Sequence, residues 1–171
     1  MQLDEALAMA ALGGASKGAL LVCEFCGTRG PDQLYRKYGV YRIGDELVYR
    51  LINFDLSWIV KSPSHVTSAT LAEEANFVQT RPFHDEIWSA FETARIDFGG
   101  IDFSLQDGRM RGWEINTNPG LLHAPTKYRP GHWPNLNSSL SASAVAIEKL
   151  LVHSSESIPL KLTSGALPAS A

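Results

Sequence analysis

IDFSLQDGRMRGWEINTNPG, residues 101–120, carries the strongest fold signal in this chain. Ile101, Phe103 and Leu105 alternate with Asp102 and Ser104, and beyond Asp107-Gly108 the residues Trp113 and Ile115 alternate with Glu114 and Asn116. A period of two belongs to a strand with one buried and one open face, so the stretch predicts a β-hairpin with an apolar and a polar side. Asn118-Pro119-Gly120 ends it.

The polar side comes with a condition. If Asp107 and Gly108 are the whole loop, Gln106 pairs with Arg109, and Asp102 then faces Trp113 instead of Glu114. A three-residue loop, or one bulge, returns Asp102 and Glu114 to a common face, and Gly108 can supply the left-handed conformation such loops need. Asp102, Glu114 and Asn116 would then present three oxygen-bearing side chains together. Hard cations want such ligands: Mg²⁺ takes oxygens at about 2.1 Å, keeps several waters and commonly sits between one or two carboxylates and nucleotide phosphates. A solvated hairpin face is the plainer reading of the same residues.

The rest of the chain supplies partners for this hairpin. KYGVYRI (residues 37–43) and LVYRLINF (residues 47–54) read as two further strands joined through Gly44-Asp45-Glu46. Thr70 with Glu73 forms a capping-box signature, which predicts a helix from Leu71 that stops before Pro82. A second helix follows, on which Phe83, Ile87, Trp88, Phe91 and Ala94 recur at helical spacing as a core stripe. Residues 20–26 read as a buried strand. On a strand Cys23 and Cys26 point to opposite faces, so neither a disulfide between them nor a metal site is expected. Residues 1–12 suit a helix, the Gly-rich stretch from Gly13 to Gly18 a connector, and residues 138–152 a last helix. Residues 153–171, rich in Ser, Pro and Ala, read as a flexible tail to a single domain spanning 1–152.

Composition narrows the function classes. With 171 residues and 44% apolar content the chain can bury a core, and a net charge of −3 leaves no basic surplus for nucleic acid. No apolar run approaches a membrane span, and Asp4 and Glu5 stand where a signal peptide wants Lys or Arg. A cytoplasmic location is expected.

Extended upstream, IDFGGIDFSLQDGRMRGWEINTNPG resembles the metal-binding end of ATP-grasp enzymes, the superfamily of D-alanine ligases and glutathione synthetases. LLVCEFCGTRGPD is similar to that family's hinge strand, and YRKYGVYRIGDELVYRL stands where its small antiparallel subdomain continues, so the resemblance covers residues 19–122. It implies an α+β fold, a mixed or antiparallel sheet with helices packed on one side, corresponding to the C-terminal lobe of an ATP-grasp domain. It also implies ATP and two Mg²⁺ (or Mn²⁺) ions, used to activate a small-molecule carboxylate as an acyl phosphate for attack by an amine. Carried over residue by residue, Asp102, Glu114 and Asn116 become metal ligands, with Glu114 bridging. The backbone at Glu24, Phe25 and Cys26 would meet adenine, Asp32 the ribose, and Arg36 or Lys37 together with Lys61 the phosphates. The turn Asn118-Pro119-Gly120 would offer backbone N–H groups to the acyl intermediate.

Two departures matter. Gly100 stands where ligases of the family often have Arg, and only about 20 residues precede the hinge, whereas whole ATP-grasp enzymes carry a substrate domain there. The alternative expectation is therefore a truncated, non-catalytic nucleotide- and metal-binding fragment, with the edge of its hinge strand open to association.

Overall fold

The period-two stretch forms a hairpin of β3 (Phe98–Gln106) and β4 (Arg109–Asn116), with Asp107 and Gly108 as its loop. Both loop residues have positive φ, 51° and 73°, which matches the twist of the paired strands; Gly108 adopts this freely and Asp107 tolerates it. These coordinates are a computed structural model that describes residues 25–61, 64–120 and 133–157. A second hairpin pairs β1 (Tyr35–Ile43) with β2 (Glu46–Asp55) around Gly44-Asp45, with Gly44 at φ 60°. β1 also pairs antiparallel with β3, and the sheet runs β2-β1-β3-β4. The class is α+β: the described residues form a four-stranded antiparallel sheet with three helices.

Register sorts the side chains. Tyr38, Val40, Ile101 and Phe103 occupy one face, where α1 (Ser68–Thr80) adds Phe77 and α2 (His84–Ala94) adds Ile87 and Phe91. Aromatic rings fill the centre of this core: Phe103 stacks on Tyr38 at 5.1 Å between centroids, and Phe77 meets Tyr38 edge-on at 5.0 Å. Burial in this cluster pushes the Tyr38 phenol up to about 12. Of the stripe expected on α2, Ile87 and Phe91 are buried and Trp88 and Phe83 pack beside them, while Ala94 is exposed. Trp88 also lies against the buried Arg42, whose guanidinium is 4.2 Å from the ring centre and donates to the carbonyls of Gly44 and Ile96.

The expectation of helices on one side holds for α1 and α2 only. α3 (Trp133–Ser157) packs Ala142, Ala146 and Ile147 against Tyr41, Ile43, Val48 and Phe98, which the register places on the opposite face. The β1–β2 hairpin is apolar on both faces at its turn end, so both must be covered. α3 also starts before residue 138 and continues past the expected boundary at 152.

Two local readings need correction. α1 begins a turn earlier than Leu71: its N-cap is Thr67, whose side chain accepts from the Thr70 N–H while Thr70 accepts from the Thr67 N–H. Glu73 does not cap because Arg36 takes it, with Nε to Oε1 at 2.6 Å. The helix does stop before Pro82, at Arg81 in the left-handed conformation. Residues 25–28 are not in a strand; the first pairing on this stretch is the single bridge from Arg29 to Tyr35. The expected N-terminal helix, the Gly-rich connector, residues 20–24 with Cys23, and the tail beyond 157 lie outside the described residues.

Candidate functional site

A bulge resolves the parity of the β3–β4 hairpin. Gln106 pairs with Arg109 and Phe103 with Gly112, then the register shifts so that Asp102 pairs with Glu114, leaving Trp113 as the extra residue. Trp113 consequently leaves the apolar face where its alternation had placed it and lies 47% exposed on the polar one. Its indole N–H donates to Ser104 Oγ at 2.7 Å, and the Ser104 hydroxyl donates to the Arg36 carbonyl. One hydroxyl thus ties the bulge in β4 through β3 to β1.

The face away from α1 and α2 carries Asp102 and Glu114 as direct cross-strand neighbours, with Asn116 two residues further along opposite Gly100. Gly39 lies opposite Asp102 on the other side, and from the next outward position of β1 Lys37 places Nζ 2.8 Å from Asp102 Oδ2. Glu114 has no ion-pair partner among the described residues. Asn116 Oδ1 accepts the Asn118 N–H at 2.9 Å, which folds the chain back so that Pro119 is buried against Gly100 and Tyr41. A Cβ on Gly100 would come within 2.9 Å of the Tyr41 ring and 3.1 Å of Pro119, so the position rejects an arginine on steric grounds.

Asp102 and Glu114 form the polar end of a cavity of about 530 Å³ whose apolar walls include Phe25, Trp58 and Trp113. Phe25 meets Trp58 edge-on at 6.0 Å, and both rings are more than 60% exposed. Lys37, Cys26 and Val60 also line the cavity, together with Thr28, Tyr35 and Ser104. This is the size and mixed lining of a small-ligand site. A larger depression of about 730 Å³ over α2, edged by Asp85, Glu86 and Thr93, is an open surface without converging walls.

The remaining predicted residues divide by face. Arg36, one residue from Lys37, points to the α1 side. There it is held by Asp32 at 2.6 Å and by Glu73, over the Phe54 ring. Asp32 also accepts the Leu34 N–H within its own turn. Neither residue lines the cavity. Lys61 is exposed and follows Val60, a lining residue. Cys26 is a free thiol that donates to Gln106 Oε1 at 3.2 Å. Glu24 lies outside the described residues. No family model, curated protein or solved structure matches the chain.

Sequence reasoning passed over Trp58 and treated Trp113 as core. WIVK did hold a signal, a tryptophan beside the candidate Lys61 in a segment without strand or helix periodicity. Parity allowed a bulge in this hairpin as one of two conditions for a shared carboxylate face, but nothing in the sequence placed it at Trp113.

The Arg36 guanidinium first, and the Leu34 N–H with it, hold the Asp32 carboxyl down at about 2. Since the folded value lies below the unfolded one, the pair's stabilisation is present above about pH 4 and is lost as pH falls toward 2. Asp32 is 46% exposed, so solvent screening limits the effect to about 0.5–1 kcal/mol. Urea titrations of wild type and Asp32→Asn are expected to differ by that amount at pH 6 and to converge near pH 2; a gap unchanged at low pH refutes the pairing as its cause.

Proposed function

We propose that this chain binds a magnesium-bound nucleotide on the sheet face described above, as the ATP- and metal-binding part of an ATP-grasp carboxylate–amine ligase. One observation carries the reading: a single cavity gathers Phe25 and Cys26 from the hinge-like segment, Lys37 from β1, and the cross-strand pair Asp102 and Glu114. Those elements are far apart in sequence.

The donor set fits a hard cation. Among the described residues no group of three or more His, Cys, Asp or Glu is placed to hold a metal ion, and the set proposed here has two carboxylates and an amide. The carbonyl oxygen of Asn116 uses one lone pair on Asn118 and keeps a second. Bound Mg²⁺ supplies Lewis-acid stabilisation of charge on phosphoryl oxygens. Asp102 and Glu114 would hold the ion itself at the carboxylate side of the cavity, Lys37 would offer an ammonium to phosphate, and the rings of Phe25, Trp58 and Trp113 would provide flat walls for a base.

A second reading, nucleotide and cation binding without ligation, draws support from the end of β4. Gly100 leaves no arginine to grip an acyl phosphate, the Asn118 N–H is already given to Asn116, and Pro119 has no N–H to offer. The proposed partners are a small carboxylate and an amine, in a cytoplasmic setting, with no part for nucleic acid or membrane. No helix among the described residues is long and apolar enough to cross a bilayer.

Calorimetric titration with Mg-ATP, paired with ADP release over a panel of amino acids, tests both readings. Saturable heat without ADP release is expected of the binding module and ADP release of the ligase. Absence of heat at millimolar nucleotide sinks the nucleotide assignment.

A further inference from the structure

We propose that Lys37 is a built-in counter-ion of Asp102 that makes cation and anion binding on this face depend on each other, so that the site favours a cation–polyphosphate complex over a free divalent ion. The inference rests on the nucleotide reading above and deepens it. Lys37 Nζ and Asp102 Oδ2 are 2.8 Å apart, and their side chains are only 24% and 32% exposed. The ammonium therefore already occupies the approach to one of the two carboxylates that a cation would use.

The nearest basic side chain in sequence cannot take over this task. Arg36 is held by Asp32 and Glu73 on the opposite face. Gly39, directly opposite Asp102, has no side chain to share the contact, so the attraction falls to Lys37. Glu114 remains without an ion-pair partner among the described residues. With Lys37 docked, the Asp102–Glu114 pair carries one net negative charge; with Lys37 withdrawn it carries two.

A free divalent ion arriving at Asp102 meets a like charge at close range. A cation that brings phosphate oxygens with it offers the ammonium another acceptor, and the four-carbon stem lets Lys37 turn to it where a forked guanidinium would be more committed. Anion and cation then strengthen each other, and linkage requires the effect to be equal in both directions.

The test uses the full chain and needs no turnover. Mn²⁺ alone is titrated while the free ion is counted by electron paramagnetic resonance, and ATP is titrated separately by calorimetry in saturating Mg²⁺. In Lys37→Met, Mn²⁺ alone is expected to bind about three- to tenfold more tightly, and ATP to bind more weakly by a similar factor. Lys37→Gln, which keeps a polar side chain, is measured alongside so that a packing loss does not decide the result. A merely structural lysine would weaken both ligands, and a simple phosphate contact would leave Mn²⁺ alone unchanged; either result overturns the proposal. Asp102→Asn separates the failures. Mn²⁺ binding that ignores this change removes the metal site and the inference with it. Mn²⁺ binding that needs Asp102 but does not tighten without Lys37 removes the counter-ion role alone.

Discussion

Replacing Phe103 with alanine is expected to cost about 3–5 kcal/mol, the range for deleting a buried phenyl ring from a packed core. Phe103 has 0% of its surface exposed and lies on β3 with its ring stacked on Tyr38, 6.3 Å from the Phe77 ring and 6.3 Å from that of Phe83. Removing it takes away the contact surface that joins the sheet to α1 and the start of α2. The loss combines a transfer term with a cavity that neighbouring strands cannot close without giving up their register. Domains have about 5–15 kcal/mol in all, so the variant should melt roughly 10 °C or more below wild type. Trp113→Ala is the control. It also removes a large ring, but from a side chain 47% exposed that makes one indole hydrogen bond to Ser104, and its expected cost is about 1 kcal/mol. Urea midpoints that rank the two variants the other way would refute the placement of the core.

The second large effect falls on binding. Glu114→Ala is expected to weaken Mg-ATP at least about tenfold, since even the outer partners of metal ligands are worth 10–100-fold. Glu114 is exposed and pairs directly across the ladder with Asp102, so its carboxylate can be removed without opening the core. Stability should therefore move by no more than about 0.5 kcal/mol. Glu148→Ala, at an exposed position on α3 far along the chain, serves as the charge-matched control and should leave ATP affinity unchanged. Calorimetry and thermal melting on the same preparations separate the two effects; ATP binding that ignores Glu114 would count against both the metal site and the family reading.

The contrast between these two side chains also shows how far the linear chain could be read. Alternation assigned Phe103 to the apolar face of the hairpin, and it is buried there; Glu114 joins the face of Asp102 only through the bulge, one of the two conditions the loop length had imposed. The β1–β2 turn at Gly44, the end of α1 before Pro82 and the buried Ile87 and Phe91 were legible for the same reason. Period, turn chemistry and proline exclusion act within a few residues. The capping box was legible in kind but misplaced, because Arg36, 37 residues away, recruits the glutamate that would have closed it.

Tertiary pairing decided what local signals left open. Arg36 and Lys37 were equivalent as phosphate-binding candidates in the sequence, and neighbours on a strand must point to opposite faces. Pairing of β1 with β3 opposite Asp102 is what gives Lys37 to the cavity and Arg36 to Asp32 and Glu73. The hairpin's parity likewise permitted two outcomes. The one with Asp102 beside Glu114 comes with an extra residue at Trp113, fastened through Ser104 to the Arg36 carbonyl 68 positions earlier in the chain. Alternation can say that a polar face exists, but a single bulge reverses which residues belong to it, and that bulge is held by contacts among three strands.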